Sequence, residues 1–211
     1  MTAPEGPRLI CISGGDASGK STQVEALTAA LSERGEKVAA VTIWDALSDP
    51  YVAQRLPFRD RGQVYEYLRI LSPRARTHFM FHALHVALDR AFEREPDLVL
   101  LNAYWYKYFA TEIAHGGDTR MLRSWAYGFP EPESTFYLRI TPEIALARKR
   151  QRSDYESGYG DAAAFLDFQW RSLAILGQLC AELNWIDLDG TAKPSTLTAT
   201  MLEVVESGGL R

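Results

Sequence analysis

Gly14-Gly15-Asp16-Ala17-Ser18-Gly19-Lys20-Ser21 fits the spacing G-x-x-x-x-G-K-[ST], and its flanks decide what the match is worth. Before it, Leu9-Ile10-Cys11-Ile12-Ser13 is short, apolar and rich in β-branched residues, as a strand buried on both faces must be. Behind it, Val24, Leu27 and Leu31 recur at helical spacing. A strand, a glycine bend and a helix N-terminus, in that order, turn successive backbone N–H groups toward an anion and add the positive end of the helix dipole. Nucleotide phosphate is the ligand this arrangement suits. The loop amides from Gly14 to Thr22 are expected to hold the donor, with Lys20 on the β- and γ-phosphates and the Ser21 hydroxyl on Mg²⁺.

With 211 residues, 46% of them hydrophobic, the chain can bury one substantial core, and nothing in it reads as a linker. A single domain over residues 1–211 is expected. The net charge of −4 speaks against a broad nucleic-acid-binding surface. Cys11 and Cys180 read as small buried hydrophobes, not as a disulfide framework or metal site, which fits a reducing cytoplasm. The polar start, Met1 to Pro7, has no signal-peptide core, and no apolar run reaches membrane-spanning length, so no membrane partner is expected.

Further strands are predicted at Lys37 to Trp44, Asp97 to Ala103, Ser134 to Ile140 and Asn184 to Asp189, with helical patterns between them. This alternation predicts an α/β fold: a five-stranded parallel sheet with right-handed crossovers and helices on both faces. Ser72-Pro73 predicts a helix start, with Met80, Leu84, Leu88 and Phe92 as the buried stripe of a helix running to about Arg94. Asp161 predicts a second cap, for a helix that buries Phe165, Phe168, Leu173, Leu176, Cys180 and Leu183.

Arg148, Lys149, Arg150 and Arg152 bring four cations into five residues. Phosphoryl transfer spreads negative charge over the migrating group and needs such cations held in place around it. On a helix Arg148 and Arg152 share a face and can clamp one polyphosphate, whereas Lys149 and Arg150 point elsewhere. A solvated basic face is the alternative.

From about Leu9 to Val205 the chain resembles the thymidylate kinase family of nucleoside monophosphate kinases. The likeness rests on Ser13 to Thr22, on Leu71-Ser72-Pro73 leading to Phe79-Met80-Phe81, and on the run from Pro130-Glu131-Pro132-Glu133 through Tyr137-Leu138 and Pro142 to Arg148, then Arg152, Asp154 and Glu156. The resemblance implies a P-loop kinase fold with a lid at about 148–160, ATP with Mg²⁺, a nucleotide acceptor and a homodimer. It also implies that Arg148 and Arg152 close on the transferring group, that Asp16 contacts the acceptor sugar, and that Phe81 and His85 flank the acceptor base. Asp189-Gly190-Thr191 stands where the family wraps adenine.

The departures cluster on the acceptor side. The family's Asp-Arg pair after the third strand is replaced by Asn102-Ala103. Asparagine can still bond a metal-bound water but carries no charge, and alanine cannot hold a phosphate. Lys107 is a candidate for the missing cation, although a solvated helix lysine is the commoner explanation. The family's arginine beside the acceptor base is replaced by His85, so thymidylate itself is not implied. Asp45, at the end of the second predicted strand, matches the carboxylate with which related deoxynucleoside kinases deprotonate a sugar hydroxyl. Tyr104, with Trp105, Tyr106 and Tyr108, is a candidate to stack on the acceptor, or else packs the core.

The resulting expectation is ATP-dependent phosphoryl transfer to a nucleoside monophosphate. A kinase acting on a hydroxyl and a non-catalytic ATP-binding homologue remain the alternatives.

Overall fold

A computed structural model describes residues 6–149 and 154–208. β1 (Arg8–Gly14) leads through the glycine bend into α1 (Lys20–Glu33). β2 (Val38–Val41) is followed by two single-turn helices, α2 (Asp45–Ser48) and α3 (Pro50–Ala53), then by α4 (Arg61–Ile70) and the long α5 (Pro73–Phe92). β3 (Leu98–Asn102) precedes α6 (Tyr104–Ala114) and α7 (Thr119–Ala126). β4 (Ser134–Arg139) precedes α8 (Pro142–Arg148), and a 3-10 turn at Tyr155–Ser157 precedes α9 (Ala162–Glu182). β5 (Ile186–Asp189) and α10 (Pro194–Glu206) complete the order.

The strands form one parallel sheet in the order β2-β3-β1-β4-β5, with Ile12 beside Asn102 and Gly14 beside Leu138. Alternation along β1 divides the core. Ile10 and Ile12 face α1 and α10, packing with Leu27, Leu31 and Met201, whereas Cys11 faces the layer of α5, α6 and α9. Both faces are covered, which is why the strands read as continuous apolar runs. The connection from β1 runs to β2 past β3, and the one from β3 runs to β4 past β1. The two depart in opposite directions, opening a crevice at the carboxyl ends of β1 and β3.

All five predicted strands are present, and β2 to β5 are each shorter than expected. β2 stops at Val41 because Thr42 starts a polar turn, its hydroxyl accepting from Trp44 N at 3.1 Å and its carbonyl from Asp45 N at 3.1 Å. β5 begins after Asn184, whose φ of +50° breaks the extended run. Both predicted caps form: Ser72 Oγ accepts from Ala75 N at 3.3 Å, and Asp161 accepts from Ala163 and Ala164 N, each at 3.0 Å. The apolar face of α9 ends sooner than expected, with Cys180 half-buried and Leu183 exposed beyond the last turn. No helix among the described residues is long and apolar enough to cross a membrane.

Candidate active site

The glycine bend closes the carboxyl end of β1. Gly14 has a φ of +144°, and a Cβ there would stand 2.8 Å from the Leu138 carbonyl oxygen of β4, so the neighbouring strand requires glycine. Gly19, at φ +99°, leads into α1, whose N-terminus has no side-chain cap. Its first N–H groups have no partner within the helix, which leaves them for an anion. Lys20 Nζ folds back onto its own loop, donating to the Gly15 carbonyl at 2.5 Å and to Ser18 Oγ at 3.4 Å. Asn102 Nδ2 donates to Ser21 Oγ at 3.1 Å and ties the end of β3 to the start of α1.

A cleft of about 470 Å³ opens over this bend. It is lined by residues of the loop from Asp16 to Thr22, by Thr42 and Trp44 after β2, Arg61 at the start of α4, Asn102 and Ala103 after β3, Lys107 and Tyr108 on α6, and Arg148 at the end of α8. A larger cavity of about 670 Å³, between α6, α7 and the start of β5, is lined by Trp105 and Tyr106 of the aromatic cluster but by no residue of the phosphate loop. The smaller cleft gathers four cations, Lys20, Arg61, Lys107 and Arg148, against one carboxylate, Asp16. Such a balance draws in a polyanion.

The charges are coupled. Lys107 Nζ donates to Asp16 Oδ1 at 2.5 Å, and Gln169 Nε2 reaches both Asp16 Oδ2 at 3.4 Å and the Glu156 carbonyl at 3.0 Å. Lys149 pairs with Glu156 at 2.6 Å. Burial alone would raise the Asp16 carboxyl, but Lys107, Lys149 and Lys20 hold it well below the usual carboxylate range. Burial opposes charge on Lys107 as well, and there Asp16 and Glu156 prevail and raise its pKa. For Lys20, burial and the neighbouring Lys107 bring the ammonium down to about 7.

Arg148 crosses to the loop, its Nη1 donating to the carbonyls of Ala17 at 3.3 Å and Gly190 at 3.1 Å. This brings the turn after β5 beside the phosphate loop. Thr191 in that turn donates from N and Oγ1 to Asp189 Oδ1 at 2.9 and 2.7 Å, and it does not line the cleft. The helical argument joining Arg148 to Arg152 fails, because α8 ends at Arg148 and Lys149 is extended, with φ −92° and ψ 112°. Lys149, expected to point away, turns inward to Glu156 instead. Arg152 lies outside the described residues.

Four other expectations need correction. Asp45, the candidate base, completes the turn after β2: its Oδ2 accepts from Thr42 N at 2.7 Å, its Oδ1 accepts from Thr42 Oγ1 at 3.0 Å, and it does not line the cleft. Phe81 is buried edge-on against Phe129, and His85 lies flat on the same ring at 3.9 Å, so both pack toward α7 and not toward the phosphate loop. Tyr104 is fully buried. Positive φ values at Ala103 (77°) and Tyr104 (54°) swing its ring into the core, where the hydroxyl donates to the Pro130 carbonyl at 2.7 Å.

Thr42, Trp44 and Arg61 line the cleft without having been expected there, and of the aromatic cluster after β3 it is Tyr108 that lines it. A signal for α4 existed. Asp60 accepts from Gln63 N at 3.0 Å, while Gln63 Oε1 accepts from Arg59 N at 2.8 Å, an N-terminal capping arrangement legible as Asp-x-x-Gln.

No family model matches the chain. It is 23% identical over 205 residues to a probable thymidylate kinase of Sulfurisphaera tokodaii, covering 94% of this chain and 96% of that one. Identity to a thymidylate kinase of Caenorhabditis elegans is 28% over 155 residues, 66% of each chain. A probable thymidylate kinase 2 of Saccharolobus solfataricus is 32% identical over 105 residues, 44% of this chain and 49% of that one.

Proposed function

We propose, from the premise that this chain is thymidylate kinase-like with the P-loop kinase fold, that it is a nucleotide kinase carrying the γ-phosphoryl of ATP to a nucleoside monophosphate. The observation that carries the reading is the single cleft in which Lys20, Ser21, Asn102, Lys107 and Arg148 converge on the glycine bend. Those residues come from four separate elements and meet only where a polyphosphate would lie.

An acceptor phosphate is already anionic, so transfer to it needs alignment and charge stabilisation more than a strong base. In this reading Lys20 exchanges the Gly15 carbonyl for the β- and γ-phosphates, Arg148 stabilises charge on the migrating group, and the Asp16–Lys107 pair borders the acceptor. The Ser21 hydroxyl suits a magnesium ion that arrives on the nucleotide and keeps most of its water, and the Asn102 amide, whose Nδ2 donates to Ser21 Oγ, would hold that hydroxyl in place. Among the described residues no group of three or more His, Cys, Asp or Glu stands ready to hold a metal by itself. Magnesium, when bound, neutralises phosphate charge.

The position of Asp45 supports a phosphate acceptor over a hydroxyl one, since a hydroxyl needs a base beside it. Asp45→Asn is therefore expected to alter turnover by less than about tenfold, against the roughly 10²–10⁴-fold loss expected of a missing base.

The decisive assay is ADP formation and product mass with Mg-ATP and a panel of nucleosides and nucleoside monophosphates. At least one monophosphate is expected to be phosphorylated, and Lys20→Ala is expected to abolish transfer. A wild-type protein that binds ATP and phosphorylates nothing on the panel is instead a non-catalytic homologue. A homodimer and a cytoplasmic location belong to the same proposal; sedimentation velocity showing a monomer at micromolar concentration would remove the first.

A further inference from the structure

The cations lining the cleft are not equally available. Lys107 is paired with Asp16 at 2.5 Å, Lys20 is folded onto the Gly15 carbonyl, and Arg148 bridges the carbonyls of Ala17 and Gly190. Arg61 is exposed, and among the described residues no carboxylate lies within ion-pairing distance of it. Its guanidinium sits 5.0 Å from the centre of the Trp44 ring, which also lines the cleft. A stacked guanidinium is held in place by the ring face while its edge keeps several N–H donors free.

Topology fixes the side from which it acts. In the order β2-β3-β1-β4-β5, Trp44 and Arg61 follow β2, on one side of β1, whereas Arg148 follows β4 and reaches the turn after β5, on the other. Arg148 thus marks the donor side of the phosphate loop, and Arg61 the opposite one. Ala103, in the turn after β3, follows a strand that lies between β2 and β4 in this order, and it is buried and without a charge.

We infer that Arg61 binds the phosphate of the acceptor, supplying from the start of α4 the cation that Ala103 cannot supply from the end of β3. The inference rests on the nucleotide-kinase reading and deepens it: the acceptor is recognised by an anionic group, through a guanidinium presented on an indole face. Lys107, neutralised by Asp16, is left to orient that carboxylate.

The test titrates the wild-type, Arg61→Gln and Arg61→Lys proteins with deoxynucleoside 5′-monophosphates, with the matching nucleosides and with ATP. At least one monophosphate is expected to bind wild type about tenfold or more tighter than its nucleoside, as a charge-assisted contact requires. Arg61→Gln, which can keep the contact with Trp44 but lacks the charge, is expected to close that gap, with ATP affinity changed less than about twofold. Arg61→Lys should recover part of it. The inference is overturned if the gap survives in Arg61→Gln, if ATP binding falls as far as monophosphate binding, or if wild type does not tell a monophosphate from its nucleoside. Phosphoryl transfer is scored separately. A wild type that shows the gap and transfers nothing overturns the kinase reading alone; one that transfers, with an acceptor KM unchanged by Arg61→Gln, overturns the role of Arg61 alone.

Discussion

Lys20 sits in an environment that works against its own charge. Burial and the ammonium of Lys107 bring it down to about 7, so near pH 8 much of the ligand-free protein carries a neutral amine at this position. Phosphate oxygens arriving on the nucleotide favour the protonated form and raise the pKa again. ATP binding near pH 8 should therefore take up a proton, and affinity should fall as pH rises above about 7, by at most about tenfold per unit. Calorimetry in two buffers of different ionisation enthalpy measures the uptake, and Lys20→Arg, charged throughout, should abolish it. An uptake of zero in the wild type would mean that Lys20 does not receive the phosphates. Lys20, Ser21 and Asn102 were legible in the sequence because a short motif and a strand end specify them locally. Asp45 and Tyr104 were misread for the opposite reason: where those side chains point is set by a Thr42 turn and by two left-handed backbone residues.

At the scale of elements, α5, α6 and the turn after α8 are joined by one buried polar group. Arg76 Nε donates to both oxygens of Glu112 at 2.9 Å, and Tyr155 Oη donates to Glu112 Oε1 at 2.7 Å, with the Arg76 and Glu112 side chains 5% and 0% exposed. Burial raises the Glu112 carboxyl, and Arg76 and Tyr155 oppose the rise. Arg76→Met strands that carboxylate and should cost about 3–5 kcal/mol in urea denaturation, whereas Arg76→Met with Glu112→Leu should recover most of the loss. Equal losses in the two proteins would show that the pair is not what holds these elements together. The strands, α1, α5 and α9 were readable from apolar runs and caps. The premature end of α8 was not, because a run of basic residues contains no glycine or proline to mark the stop.

For the molecule as a whole, ligand binding and stability are linked through the cleft. ATP at about a hundred times its Kd should stabilise the fold by about 2.7 kcal/mol, roughly 5–10 °C in Tm for a chain of this size. Lys20→Ala should lose most of that shift while melting near the ligand-free wild type; a shift that survived would place ATP elsewhere, the 670 Å³ cavity being the first candidate. The sequence by itself determined the glycine bend, its flanking strand and helix, the parallel α/β character and most of the cations that line the cleft, since each is written in neighbouring residues and their spacing. Which distant segments share the cleft was decided only by the tertiary structure. The strand order brings the β2 and β4 ends to opposite sides of the bend, and local turns aim each side chain. That is how Arg61 and Trp44 enter the cleft and Lys149 turns onto Glu156, while Asp45, Phe81, His85 and Tyr104 stay out of it.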